Sequence, residues 1–113
     1  MKIGTDDYQI WHEPENSTVW FRGFLRLDGM AEYQPVMELL LDAAAQASTL
    51  TLNLRELEFL NSSGISMLSM FVVKVREQGD LQLILQGSEQ VLWQTKSLKN
   101  LQRLMPSLTL EFA

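Results

Sequence analysis

The spacing of apolar residues changes period several times along the chain, and each change marks an element. From Thr49 to Leu54, Leu50, Leu52 and Leu54 alternate with Thr49, Thr51 and Asn53. That period of two is the signature of a strand with one buried face. Leu81 to Gln86 repeats it, with Leu81, Leu83 and Leu85 against Gln82 and Gln86. Tyr8 to Trp11 and Thr18 to Leu27 are rich in aromatic and branched residues and flank the turn-forming run Glu13-Pro14-Glu15-Asn16-Ser17, which predicts a hairpin. Leu108 to Phe112 reads as a last strand. Elsewhere the spacing is three and four. Tyr33, Met37, Leu40, Leu41 and Ala44 predict a helix from Tyr33 to Ala47, with Pro35 in the first turn, where its missing N–H is not needed. Ser63 to Gln78 predicts a second helix stopped by Gly79-Asp80. Glu89 to Met105 predicts a third, with a break near Thr95 in play and Pro106 as its end.

The expected fold is α/β, an N-terminal hairpin followed by β-α-β-α-β. Such units form parallel sheets through right-handed crossovers. Strands buried on both faces would be continuously apolar, whereas these alternate. The expectation is therefore a small mixed sheet of about five strands with helices packed mainly on one face. That disfavours a doubly wound nucleotide-binding fold, and no Gly-rich phosphate loop argues otherwise. At 113 residues, 46% hydrophobic and 20% charged, with no repeat or linker, residues 1–113 read as one globular domain.

Charge and rare residues narrow the function classes. Nine basic against fourteen acidic residues give a net charge of −5, which argues against nucleic acid as a direct partner. There is no cysteine and one histidine, His12, so thiolate or multi-histidine metal sites are excluded, and no cofactor is expected. The acidic start carries no export signal, and no apolar run approaches the roughly 20 residues that cross a bilayer. A cytoplasmic protein with no membrane partner is expected. Enzyme chemistry is poorly provided for. His12 has no nucleophile elbow to serve, and the carboxylate pairs Asp6/Asp7 and Glu13/Glu15 lie in polar sequence that cannot keep a site dry. No catalytic residue is assigned.

The most informative stretch is Leu57-Glu58-Phe59-Leu60-Asn61-Ser62-Ser63-Gly64-Ile65, between the third strand and the second helix. In open α/β sheets the carboxyl edge of the strands is where ligands are handled. Asn and Ser cap helices by accepting from free first-turn N–H groups, and a purely capping role for Asn61, Ser62 and Ser63 is the plain alternative. With its flanking strand and helix, and with Phe21-Arg22-Gly23-Phe24-Leu25 upstream, the stretch resembles the anti-sigma-factor antagonist family, the STAS domain. There a strand leads into an Asp-Ser-Ser-Gly motif at a helix start. In this chain Asn61 stands in place of the aspartate, and the sequence ends directly after the last strand.

The resemblance implies a partner-switching protein of signal transduction and transcription regulation. Ser62 would be the phospho-acceptor, with Asn61, Ser63 and Gly64 in the motif. The implied partners are a serine kinase that is itself an anti-sigma factor, and a PP2C-type phosphatase. The alternative is a STAS-like scaffold or small-ligand-binding regulatory domain that is never phosphorylated. A homodimer is compatible with either. On the second helix, Ile65, Leu68, Phe71, Val72 and Val75 form the stripe expected to face the sheet. Met67 and Met70 fall outside it and, being adaptable side chains near Ser62, are expected in a docking surface. Trp11, Trp20 and Phe24 are expected to gather on the polar face of the sheet, and Lys96, Lys99 and Arg103 on a solvated helix face.

Overall fold

The computed structural model describes residues 2–113. Six strands, β1 (Lys2–Gly4), β2 (Tyr8–Glu13), β3 (Thr18–Leu25), β4 (Thr49–Leu60), β5 (Gln82–Gly87) and β6 (Thr109–Phe112), alternate in the second half with α1 (Gly29–Ala45), α2 (Ser62–Gln78) and α3 (Leu92–Leu104). The strands lie side by side in chain order. β1, β2 and β3 are antiparallel, and β3 to β6 are parallel. Because the order never reverses, right-handed crossovers put every helix on the same face. The burial pattern agrees. Ile10, Val19, Phe21, Leu50, Leu52, Leu83 and Leu85 are buried beneath the helices, while their strand neighbours line an uncovered face.

The expected mixed sheet with one helical face is thus observed, with six strands rather than about five. The additional strand, β1, is only three residues long and exists through its pairing with β2. Such a short run carries no period of its own.

β4 corrects a second expectation. It runs for twelve residues and does not stop at Leu54. Its core leucines are Leu50, Leu52, Leu54, Leu57 and Leu60, so the spacing changes from two to three. Against β3 the register slips twice, between Trp20 and Arg22 and between Gly23 and Phe24. Each slip gives β4 one extra residue, a bulge that returns the next leucine to the core. Gly23 sits at the second slip with φ of +93°. A Cβ there would run into the backbone of Asp7 and Tyr8, so no other residue fits without strain.

β5 ends at Gly87 while β4 continues, which leaves β4 carbonyls without a strand partner. Gln94, fully buried in α3, supplies one. Its Nε2 donates to the Leu54 and Leu57 carbonyls, and its Oε1 accepts from the Ser88 N–H at 2.8 Å. The Trp93 indole also donates to Leu57 O at 3.0 Å. These bonds satisfy polar backbone that would otherwise be stranded in the core.

The helices begin and end differently from the periodicity. α1 starts at Gly29, so Pro35 lies inside it rather than in its first turn. The Asp28 N–H at its start donates to Glu32 Oε1 at 3.0 Å. α3 is unbroken at Thr95. No helix among the described residues is long and apolar enough to cross a membrane.

Candidate functional site

Parallel strands place their carboxyl ends, and the amino ends of the following helices, along one edge. At that edge Asn61 is the N-cap of α2, and all its side-chain polar atoms are engaged. Oδ1 accepts from the Gly64 N–H at 3.0 Å and from the Tyr33 hydroxyl at 2.6 Å, and Nδ2 donates to Leu27 O at 2.8 Å. The amide orientation is unambiguous, since a backbone N–H can only donate and a carbonyl can only accept. One residue thereby ties α1, α2 and the strand-end loop together. An aspartate would keep the cap but set a carboxylate oxygen against the Leu27 carbonyl.

Tyr33 is buried and also accepts from the Leu27 N–H at 3.4 Å. Burial pushes its hydroxyl above the ordinary tyrosine value, opposed by the weaker effect of the Leu27 N–H. Gly64 packs directly beneath it. A Cβ on Gly64 would lie 2.7 Å from the Tyr33 oxygen and closer still to Leu60 Cδ1. Gly64, expected in the partner-binding surface, is therefore buried, and its small size serves the contact with Tyr33.

Ser62 is exposed at the first helical position, and Ser63 is half-buried beside it. Asn61 occupies the Gly64 N–H, and the Ile65 N–H bonds Asn61 O at 3.0 Å. No partner engages the Ser62 and Ser63 N–H groups among the described residues. Met67 corrects the docking expectation, because it is completely buried. α2 is flanked by both α1 and α3, so its buried arc is wider than the stripe that faces the sheet. Met70, near the middle of α2, is 46% exposed.

The same edge exposes apolar surface that periodicity did not reveal. Phe24 and Phe59 are register partners across β3 and β4, both substantially exposed. The Arg26 guanidinium lies over both rings, 6.0 Å from Phe24 and 5.1 Å from Phe59. Met30 in the first turn of α1 and Leu92 at the start of α3 are exposed as well. Among the described residues, four of the five large exposed apolar side chains thus surround the strand ends, and exposed apolar patches are where contact surfaces are expected. Phe59 was obscured in the sequence because the bulges break the alternation.

The remaining sequence candidates lie apart. Trp11 and Trp20 stack on the open sheet face at 5.9 Å with nearly parallel rings, but Phe24 is at the far edge with Arg26. Glu13 accepts from Asn16 and from the Trp20 indole, and these bonds, Asn16 first, hold its carboxyl below the usual value. His12 is half-buried in β2 opposite Val19. Lys96, Lys99 and Arg103 are exposed on α3. A polar cleft of about 650 Å³ lies beyond the end of β5, bordered by Asp6, Asp7, Arg22, Arg55, Glu56 and Glu58. It does not include Ser62. Among the described residues no group of three or more potential ligand side chains could hold a metal ion.

With this geometry in place, comparison with solved structures identifies the architecture. SiaC of Pseudomonas aeruginosa matches along nearly its whole length. In the crystal structure of the diguanylate cyclase SiaD with its activator SiaC, the match has a TM-score of 0.72 at 13% identity, covering 100% of this chain and 99% of that one. Apo-SiaC gives 0.72 at 13% identity, over 99% and 96% of the two chains. A further SiaC structure gives 0.66 at 16% identity, over 100% and 94%. The fold is STAS-like. No family model and no curated protein sequence matches the chain.

Proposed function

We propose that this chain is a protein-binding regulatory module that changes partner when Ser62 is phosphorylated. The observation that carries the reading is the position of Ser62, exposed at the first turn of α2 behind a cap that is already fully bonded. A phosphate brings about −1.5 to −2 charge and three acceptor oxygens. The open N–H groups and the dipole of a helix start accommodate such charge. The fold can therefore survive the modification while the surface around it gains negative charge. The exposed Phe24, Phe59, Met30 and Leu92 along the same edge supply the apolar contact area.

SiaC, with the same fold, is an activator of an enzyme, and that supports a regulatory role in which this chain binds a protein partner. The resemblance of Asn61-Ser62-Ser63-Gly64 to the antagonist motif supports a serine kinase, itself an anti-sigma factor, as the modifying partner, with a PP2C-type phosphatase resetting it. Ser63 and Met70 would contribute to the contact surface.

The test is mass spectrometry on the protein isolated from its own cells, followed by binding. Phosphate is expected in the tryptic peptide from Glu56 to Lys74, on Ser62, and absent in Ser62→Ala. Ser62→Asp is expected to fold as wild type yet lose the partner that wild type and Ser62→Ala retain. If both variants hold that partner as wild type does, the switch is refuted, and the unphosphorylated scaffold replaces it.

A further inference from the structure

Across the sheet's uncovered face the register aligns one residue from every strand. Lys2 pairs with Trp11, Trp11 with Trp20, Trp20 with Asn53, Asn53 with Gln86, and Gln86 with Glu111. Side-chain contacts run inward from both ends of the row. The Lys2 ammonium lies 5.8 Å from the Trp11 ring centre, the tryptophans stack, and Gln86 Nε2 donates to Glu111 Oε1 at 3.0 Å. Its interior, aromatic on β2 and β3 and amide on β4 and β5, is partly or fully buried, and its two ends are exposed and of opposite charge.

We infer that this face is the contact surface between two copies of the chain. Consider a two-fold axis lying in the interface, parallel to the strands and midway between β3 and β4. It sets β1 over β6, β2 over β5 and β3 over β4 of the second copy. Lys2 then meets the second copy's Glu111, and Glu111 meets its Lys2. Trp20 covers its Asn53, and Thr18 covers its Thr51. A neighbouring row obeys the same rule. Arg22 and Glu56 are register partners on β3 and β4, joined by an ion pair at 3.4 Å, and the axis sets each over its opposite.

A two-fold interface must be complementary to itself. Charges on two separate rows meet that condition with one axis. Aligned packing of twisted sheets, with strands within about 30° of each other, is an established geometry for two such faces. The size also fits. The molecule measures 34 × 28 × 26 Å, so one whole face approaches the roughly 800 Å² per partner of a standard interface. The strand-end edge carrying Ser62 stays outside the contact, so the inference stands independently of the switch.

Sedimentation equilibrium from micromolar to millimolar concentration tests it, with variants at the exposed ends of the row. Wild type is expected to show a reversible monomer–dimer equilibrium. Lys2→Glu and Glu111→Lys are each expected to weaken dimerisation by about tenfold or more, since the two-fold repeats each like-charge clash. An equimolar mixture of the two variants restores association, because each then offers the other an opposite charge at both contacts. Circular dichroism and urea unfolding establish that both variants fold. A wild-type protein that stays monomeric leaves this face to another partner or to water and overturns the inference. A dimer indifferent to the reversals, or a mixture that fails to associate, overturns it too.

Discussion

The Tyr33 hydroxyl donates to Asn61 Oδ1 at 2.6 Å, joining the start of α1 to the cap of α2 across 28 residues of sequence. With the Leu27 carbonyl bound to Nδ2 on the same amide, the position requires both an acceptor and a donor. Only an amide side chain supplies both in that space. Asn61→Asp is therefore expected to destabilise the protein by about 1–3 kcal/mol through the unpaired Leu27 carbonyl and the carboxylate facing it. Urea unfolding of Asn61→Asp, Tyr33→Phe and the double variant measures this. Coupling of the two substitutions is expected, and strict additivity would contradict the shared bond.

Gly64 lies against Tyr33 and Leu60 with no room for a methyl group. Gly64→Ala is expected to cost about 1–3 kcal/mol despite alanine's better helix propensity. A thermal midpoint equal to or above wild type would contradict this packing.

The two methionines of α2 are expected to behave in opposite ways. Met67→Ala removes a fully buried side chain and should cost about 2–5 kcal/mol. Met70→Ala should change stability by no more than about 0.5 kcal/mol, as surface substitutions do. If Met70 contributes to docking, its loss instead shows in partner affinity.

Gln94 holds the overhanging part of β4. Gln94→Leu keeps the volume approximately but strands the Leu54 carbonyl and the Ser88 N–H, and leaves Leu57 O with the Trp93 indole alone. A loss of about 2–4 kcal/mol is expected, together with faster hydrogen exchange around Ser88. Protection unchanged at that amide would count against the role.

Two side chains predict opposite limbs of a pH profile. Glu13 has a lowered value in the fold, relative to 4.5. Its contribution is present above 4.5 and is lost as pH falls through the lower folded value. Glu13→Gln should flatten that acid limb. Tyr33 has a raised value relative to 10.0. Its contribution is present below 10.0 and is lost as pH rises through the higher folded value, so Tyr33→Phe should remove that part of the alkaline loss. Unfolding midpoints across the pH range, compared between wild type and each variant, check both signs.

Period alone determined much of this protein. The order of the main strands and helices, the parallel second half and the single helical face all follow from where leucines alternate and where they recur every three or four residues. Those rules hold locally, because a strand or helix imposes its repeat on every residue within it. The placement of a Ser-Ser pair at a helix start was also legible, since capping chemistry is local.

What required the tertiary structure is whatever depends on a neighbour distant in sequence. β1 forms only against β2, and β4 extends past Leu54 only because two bulges and Gln94 support it. Met67 looks outward on a helical wheel and is buried because flanking helices close over it. Asn61 reads as a substitute for aspartate, yet a carbonyl 34 residues away makes the amide the fitting group. Side-chain periodicity records which way a residue points. What it meets there is set by packing.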